Sequence, residues 1–176
     1  MNGSIAEIAI TTVKKSIVSV VIQTVNTMAV TEVIMNPVEK ALNIKKSVIE
    51  DIFNSFDLKQ EDGGILGIKD NVIVSFCFDK GNCEREYTIN VAKFSETLEE
   101  WDKQEIEFAG FIHSHPGQNS GQPSLKDFMY LRKFMKANED LKEVLFPIVF
   151  MKNNIKTIQF YLFKDNEFSK IDYFVI

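Results

Sequence analysis

Phe108-Ala109-Gly110-Phe111-Ile112-His113-Ser114-His115-Pro116 reads as a mostly apolar strand ending in polar side chains, and the reading of the whole chain turns on it. Side chains two apart on a strand point to the same face, so His113 and His115 emerge side by side while Ser114 points away. Pro116 removes a ladder donor, and Gly117-Gln118-Asn119-Ser120-Gly121-Gln122 consists of residues that favour turns, so the chain turns back here. Pro123-Ser124-Leu125-Lys126-Asp127 then opens a helix. Leu125, Phe128, Met129, Leu131, Phe134 and Met135 recur near the 3.6-residue period, and Ser124 suits the N-cap. Asp127 falls in the first turn, beside the end of the strand.

His113 and His115 are the only two histidines of the chain, and the return of the helix sets a carboxylate beside them. Two imidazoles and one carboxylate supply three protein ligands and leave a fourth tetrahedral position open, the pattern of a catalytic zinc rather than of a closed, Cys-rich structural site. Two plainer readings stand beside this one. Ser124-Leu125-Lys126-Asp127 also fits a relaxed capping box, in which Ser and Asp satisfy helix N-terminal amides. His-x-His on a strand can equally be a polar face. The metal reading rests on the conjunction: both histidines on one face, a Gly-rich turn after them, and an Asp returned to their side.

Glu61-Asp62-Gly63-Gly64-Ile65-Leu66-Gly67, taken with His113-Ser114-His115-Pro116 and Pro123-Ser124-Leu125-Lys126-Asp127, resembles the JAMM (MPN+ or JAB) metalloproteases of prokaryotic type. Their signature is a distant Glu, then His-Ser/Thr-His-Pro, a loop, and Ser-x-x-Asp. The resemblance covers residues 39 to 176 and leaves 1 to 38 as an N-terminal extension. It implies an α/β fold of JAMM/MPN-like (cytidine-deaminase-like) type, a mixed sheet flanked by helices. It also implies a zinc-dependent hydrolase of peptide or isopeptide bonds with one zinc per chain, acting at the C-terminal tail of a ubiquitin-like protein, with an E1-like activating enzyme as a companion. Other uses of the same fold are peptidases acting on sulfur-carrier proteins, cell-wall or phage-tail peptides, and inactive scaffolds.

Carried over position by position, the resemblance makes His113, His115 and Asp127 zinc ligands, Glu61 the general base and Ser124 a donor to the oxyanion. Zinc lowers the pKa of bound water to about 7 and polarises a carbonyl; a nearby carboxylate takes the proton and later returns it to the leaving amine. Ser114, facing away, is expected to support the loop. Glu61 also has a plainer reading as a solvated charge in Lys59-Gln60-Glu61-Asp62, and Asp62 is its obvious substitute. The loop from His115 to Ser124 is one residue longer than the commonest family spacing, and Gly67 comes one residue early; Gly117 and Gly121 can absorb the extra residue through positive φ. The family's sites receive an extended substrate chain beside the strand leading into the catalytic loop, which implies backbone pairing at a sheet edge.

Composition agrees with one enzyme-sized domain. The 176 residues are 45% hydrophobic with 15 Phe, enough for a sizeable core. A formal charge of -5 and dispersed Lys and Arg argue against nucleic acid as the main partner. Cys77 and Cys83 flank a turn and read as reduced and structural; with no signal peptide and no apolar run of the ~20 residues a bilayer span needs, the cytoplasm is the expected address.

The remaining elements follow from periodicity. Residues 45–56 read as a helix with Val48, Ile49, Ile52 and Phe53 as its buried stripe. Residues 71–78 and 86–92 read as strands around the cysteine turn, and 95–104 as a polar helix capped by Ser95 with Trp101 packed inward. Residues 144–151, 155–163 and 168–176 read as antiparallel strands joined at Lys152-Asn153-Asn154 and Lys164-Asp165-Asn166. Residues 1–38 are Ile-, Val- and Thr-rich and fit either a strand or a helical stripe; they are too apolar for a disordered tail.

Overall fold

Each helix follows or precedes a strand in such a way that it is delivered to a face of one sheet. The computed structural model describes residues 41–81, 87, 89–117 and 120–176. In it β1 (Leu42–Ile44) leads into α1 (Lys46–Ser55), and β2 (Gly63–Lys69) and β3 (Val72–Asp79) form a hairpin. α2 (Val91–Asp102) precedes β4 (Glu107–His115) and α3 (Leu125–Ala137) follows it. β5 (Glu143–Leu145), β6 (Ile148–Lys152), β7 (Ile155–Lys164), β8 (Glu167–Ile171) and β9 (Tyr173–Val175) complete the order.

All nine strands belong to one mixed sheet. β4 lies at its centre, antiparallel to β2 and parallel to β5 and β6. Beyond β2 come β3, β1 and β9, the last two joined in parallel; beyond β5 and β6 come β7 and β8. β4 is paired with β2 up to His113 and with β6 up to His115.

Strand alternation splits the apolar side chains into two cores. Leu66, Ile112 and Val149 face α1, which contributes Val48, Ile49 and Ile52. Ile65, Phe111 and Ile148 face the other side, covered by Phe94 and Trp101 of α2 and Leu131 and Phe134 of α3. His113 and His115 follow Phe111 at steps of two, so the period of the strand puts them on the α3 face. Ser114 goes with Ile112 to the other face.

Several expected elements are redrawn. The run 144–151 is interrupted at Phe146-Pro147, since Pro147 has no N–H to give. Its register to β4 is nevertheless unchanged on either side, Gly110 opposite Leu145 and His113 opposite Ile148, and His113 N donates to Pro147 O at 3.3 Å. The run 168–176 divides at Asp172: Ile171 pairs with Phe160 antiparallel, whereas Tyr173 pairs with Leu42 in parallel. Val91 and Ala92, assigned to a strand over 86–92, open α2 instead. The N-cap there is Asn90, whose side chain accepts from Lys93 N at 3.2 Å, and not Ser95; the apolar stripe Phe94, Leu98, Trp101 begins before Ser95, so helix is favoured one turn earlier. Residues 1–38 and Cys83 lie outside the described residues; Cys77 is a free thiol. The turns at Asn153-Asn154 and Asp165-Asn166 have positive φ at both positions (51° and 63°, 51° and 62°), the pattern of tight hairpins. Among the described residues no helix is long and apolar enough to cross a membrane.

Candidate metal centre

β4 and α3 meet at their adjoining ends, and three ligand-type atoms converge there. His113 Nε2 lies 2.8 Å from His115 Nε2, 3.4 Å separates His113 Nε2 from Asp127 Oδ1, and 3.5 Å separates His115 Nε2 from Asp127 Oδ2. Among the described residues these three form the one group of His, Cys, Asp and Glu able to hold a metal ion. Both imidazoles are buried, His113 against the ring of Phe146 at 4.8 Å. Their Nδ1 atoms have no hydrogen-bond partner among the described residues, and the Nε2 edges are the ones turned to the carboxylate.

The capping box and the metal cluster use the same residues. Ser124 Oγ accepts from Asp127 N at 3.2 Å, and Asp127 Oδ2 accepts from Ser124 N at 2.6 Å. The box therefore aims the carboxylate at the histidines while it satisfies two helix N-terminal amides, an outer hydrogen bond of the kind that orients a metal ligand. Ser124 keeps its hydroxyl proton for another acceptor, because its oxygen acts in the cap only as acceptor.

Burial is the main cause that pushes His113 down to about 4, opposed by the Asp127 charge. Burial also works to raise Asp127, but the hydrogen bond to His115, the neighbouring His113 and the Ser124 amide outweigh it and bring the carboxyl to about 2. At neutral pH the cluster is thus a carboxylate facing neutral His113, a donor set ready for a cation.

Glu61 stands outside the trio, near enough for His115 and Asp127 to act on its charge. Its carboxyl is raised by burial, and Lys126, His115 and Asp127 all act on its charge. Its Oε2 accepts from Tyr87 N at 3.2 Å. Asp62, the alternative base, is buried and committed elsewhere: its Oδ1 accepts from Gly81 N at 2.8 Å and Gln60 Nε2 at 2.9 Å. Among the described residues Ser114 holds the segment before β2 and not the loop that follows His115: its Oγ accepts from Asp62 N at 3.0 Å and its N donates to Asp62 O at 2.9 Å. One strand therefore sends its histidines toward Asp127 and its serine to the segment that carries Glu61 and Asp62.

Sequence reasoning missed the residues that hold Glu61 from the far side. Tyr87 donates its hydroxyl to Asp79 Oδ2 at 2.8 Å, and Asp79 Oδ2 also accepts from Asn90 N at 3.0 Å. A Cβ on Gly63 would lie 2.2 Å from the Tyr87 ring, so glycine there makes room for it. The adjacent glycines of Gly63-Gly64 were the available signal. In the loop from His115 to Ser124, Gly117 has φ +70°, as expected, whereas Gly121 serves by close approach: a Cβ there would lie 2.3 Å from the Phe150 ring.

Neither a protein-family model nor a curated protein matches the sequence. Solved structures do resemble the fold. The solution structure of a protein from Desulfitobacterium hafniense superposes at TM-score 0.61 with 12% identity, covering 77% of this chain and 92% of that chain. A JAB1/MPN domain protein from Archaeoglobus fulgidus aligns at TM-score 0.44 with 16% identity, over 77% of this chain and 98% of that chain. The first likeness shows a shared fold and nothing of chemistry.

Proposed function

We propose that the chain is a zinc-dependent hydrolase of the JAMM type that cuts a peptide or isopeptide bond at the C-terminal tail of a ubiquitin-like protein. The observation that carries this reading is the spacing of the three ligand atoms. Zinc ligands at ~2.0–2.1 Å in tetrahedral array sit about 3.3 Å apart, and the separations here are 2.8, 3.4 and 3.5 Å. The donor set of two imidazoles and a carboxylate suits zinc with an open position.

When bound, zinc would supply a Lewis acid for a carbonyl and for water. The side chains divide the remaining work. His113, His115 and Asp127 hold the ion. Glu61, kept out of the ligand trio and raised by burial, takes a proton from the attacking water and delivers it to the leaving amine. Ser124 turns its hydroxyl proton toward the oxyanion, worth of order ~3 kcal/mol for one such donor.

Elemental analysis of the purified protein should find about one zinc per chain, lost in His113→Ala plus His115→Ala. A protein that stays metal-free after zinc addition, or a double variant that retains zinc, overturns the assignment. Incubation with ubiquitin-like proteins carrying C-terminal extensions or lysine conjugates, alongside casein and cell-wall peptides, tests the substrate. Cleavage of wall peptides with the conjugates intact rejects the isopeptidase and keeps the hydrolase.

A further inference from the structure

The solvent face of α3 carries cations although the chain as a whole is net acidic. At 3.6 residues per turn, Leu125, Lys126, Met129, Arg132, Lys133 and Lys136 lie opposite the buried Leu131 and Phe134, and all six are exposed. Leu125 is 78% exposed and Met129 44%, a pair one turn apart. The helix's one acid, Asp127, is turned to the histidines. A chain with net charge -5 thus presents a face of cations and two apolar side chains with no carboxylate of that helix among them. On α2 the balance is reversed: Glu96, Glu99, Glu100 and Asp102 are exposed beside Lys93.

This face begins at the end of α3 that carries the candidate metal centre: Leu125 directly follows the N-cap Ser124, so the apolar end lies at that end of the helix and the cationic end runs away from it. From Leu125 to Lys136 the face is about 16 Å long at ~1.5 Å per residue, the reach of about five extended residues.

We propose that the α3 face docks an acidic segment of the substrate, about five residues long, with an aliphatic side chain nearest the scissile bond seated on Leu125 and Met129. This rests on the hydrolase reading above and deepens it by giving the substrate's chemistry. Exposed ion pairs contribute little each, up to about 1 kcal/mol, so Arg132, Lys133 and Lys136 chiefly steer and orient the segment while the apolar pair anchors it. A nucleic acid would use the cations but leave the apolar pair beside the site without a role.

Fluorescence anisotropy with labelled synthetic peptides tests this on the full chain. One peptide alternates Glu with Leu, a second replaces Glu by Lys, and a third replaces Leu by Ser. The Glu/Leu peptide should bind, and the Lys/Leu and Glu/Ser peptides should bind at least roughly tenfold more weakly. A similar loss should follow from Arg132→Glu plus Lys133→Glu plus Lys136→Glu, from Leu125→Ser, and from raising salt to about 0.5 M, where exposed charges are screened. Zinc content and circular dichroism should be unchanged, since every altered side chain is exposed. Equal binding of the Glu and Lys peptides, an unaffected charge-reversed variant, tighter binding of a single-stranded oligonucleotide or of anionic vesicles, or self-association abolished by the charge reversal would each overturn the proposal. Binding requires no turnover. A protein that binds the Glu/Leu peptide in this way but cleaves no conjugate fails the hydrolase reading and keeps the docking surface.

Discussion

Asp127 shows how one side chain can satisfy two readings of the same residues. Its carboxylate completes the capping box through Oδ2 and faces His113 through Oδ1, so the cap is the device that aims the carboxylate at the histidines. Glu61 and Asp62, adjacent in sequence, are separated just as sharply. Glu61→Gln should keep zinc yet lower hydrolysis by about 100-fold or more, the lower end of the range for loss of a general base. Asp62→Asn should act through stability, because Asp62 anchors Gly81 and Gln60; a variant with normal stability and abolished turnover would move the base to Asp62. The buried histidine also sets a pH dependence. With His113 held near 4 against an ordinary 6.5, the unfolded chain takes up a proton in that window and the folded chain does not. Stability of the metal-free protein is then fully present above about pH 6.5 and is lost as pH falls toward 4. Urea denaturation at stepped pH should show this slope, reduced in His113→Asn and displaced to lower pH by zinc.

At the scale of elements, the first turn of α3 joins the candidate metal cluster to the helix cap. Ser124→Ala removes the cap acceptor and should cost about 1 kcal/mol of stability; it also removes the proposed oxyanion donor and should slow hydrolysis by roughly 100-fold. Ser124→Asp caps as well as Ser but has no proton to donate. Denaturation and turnover should therefore part company in that variant, with stability restored and hydrolysis not. If Ser124→Asp recovered both, the hydroxyl would have no part in the chemistry. Pro147 shows the opposite case, a residue that breaks the hydrogen-bond ladder without shifting it, since the register to β4 continues across it.

Over the whole molecule, the stretch from β8 to β9 ties together the two ends of the sheet. Its first half pairs with β7 and its second with β1, and the Phe160 and Tyr173 rings meet across the join at 4.8 Å. Phe160 is fully buried in the core under α1. Phe160→Ala should cost about 3–5 kcal/mol in chemical denaturation, the range for removing a buried aromatic ring; a loss near 1 kcal/mol would mean the two ends hold without this contact.

What the sequence by itself determined was whatever obeys a short-range rule. The two-residue period of a strand put His113 and His115 together and Ser114 opposite, and cap chemistry put Asp127 at the head of a helix. Both follow from backbone geometry over fewer than a dozen residues and need no partner. Only the tertiary structure decided which neighbours secure Glu61 and how the sheet is joined. The hydrogen bonds of Ser114 to Asp62, Tyr87 to Glu61 and Gly81 to Asp62 span 52, 26 and 19 positions. The division of 168–176 depends on which free edge each half meets. Periodicity records which face of an element is apolar; it carries no information on which distant backbone group or sheet edge that face will meet, and that is settled by packing alone.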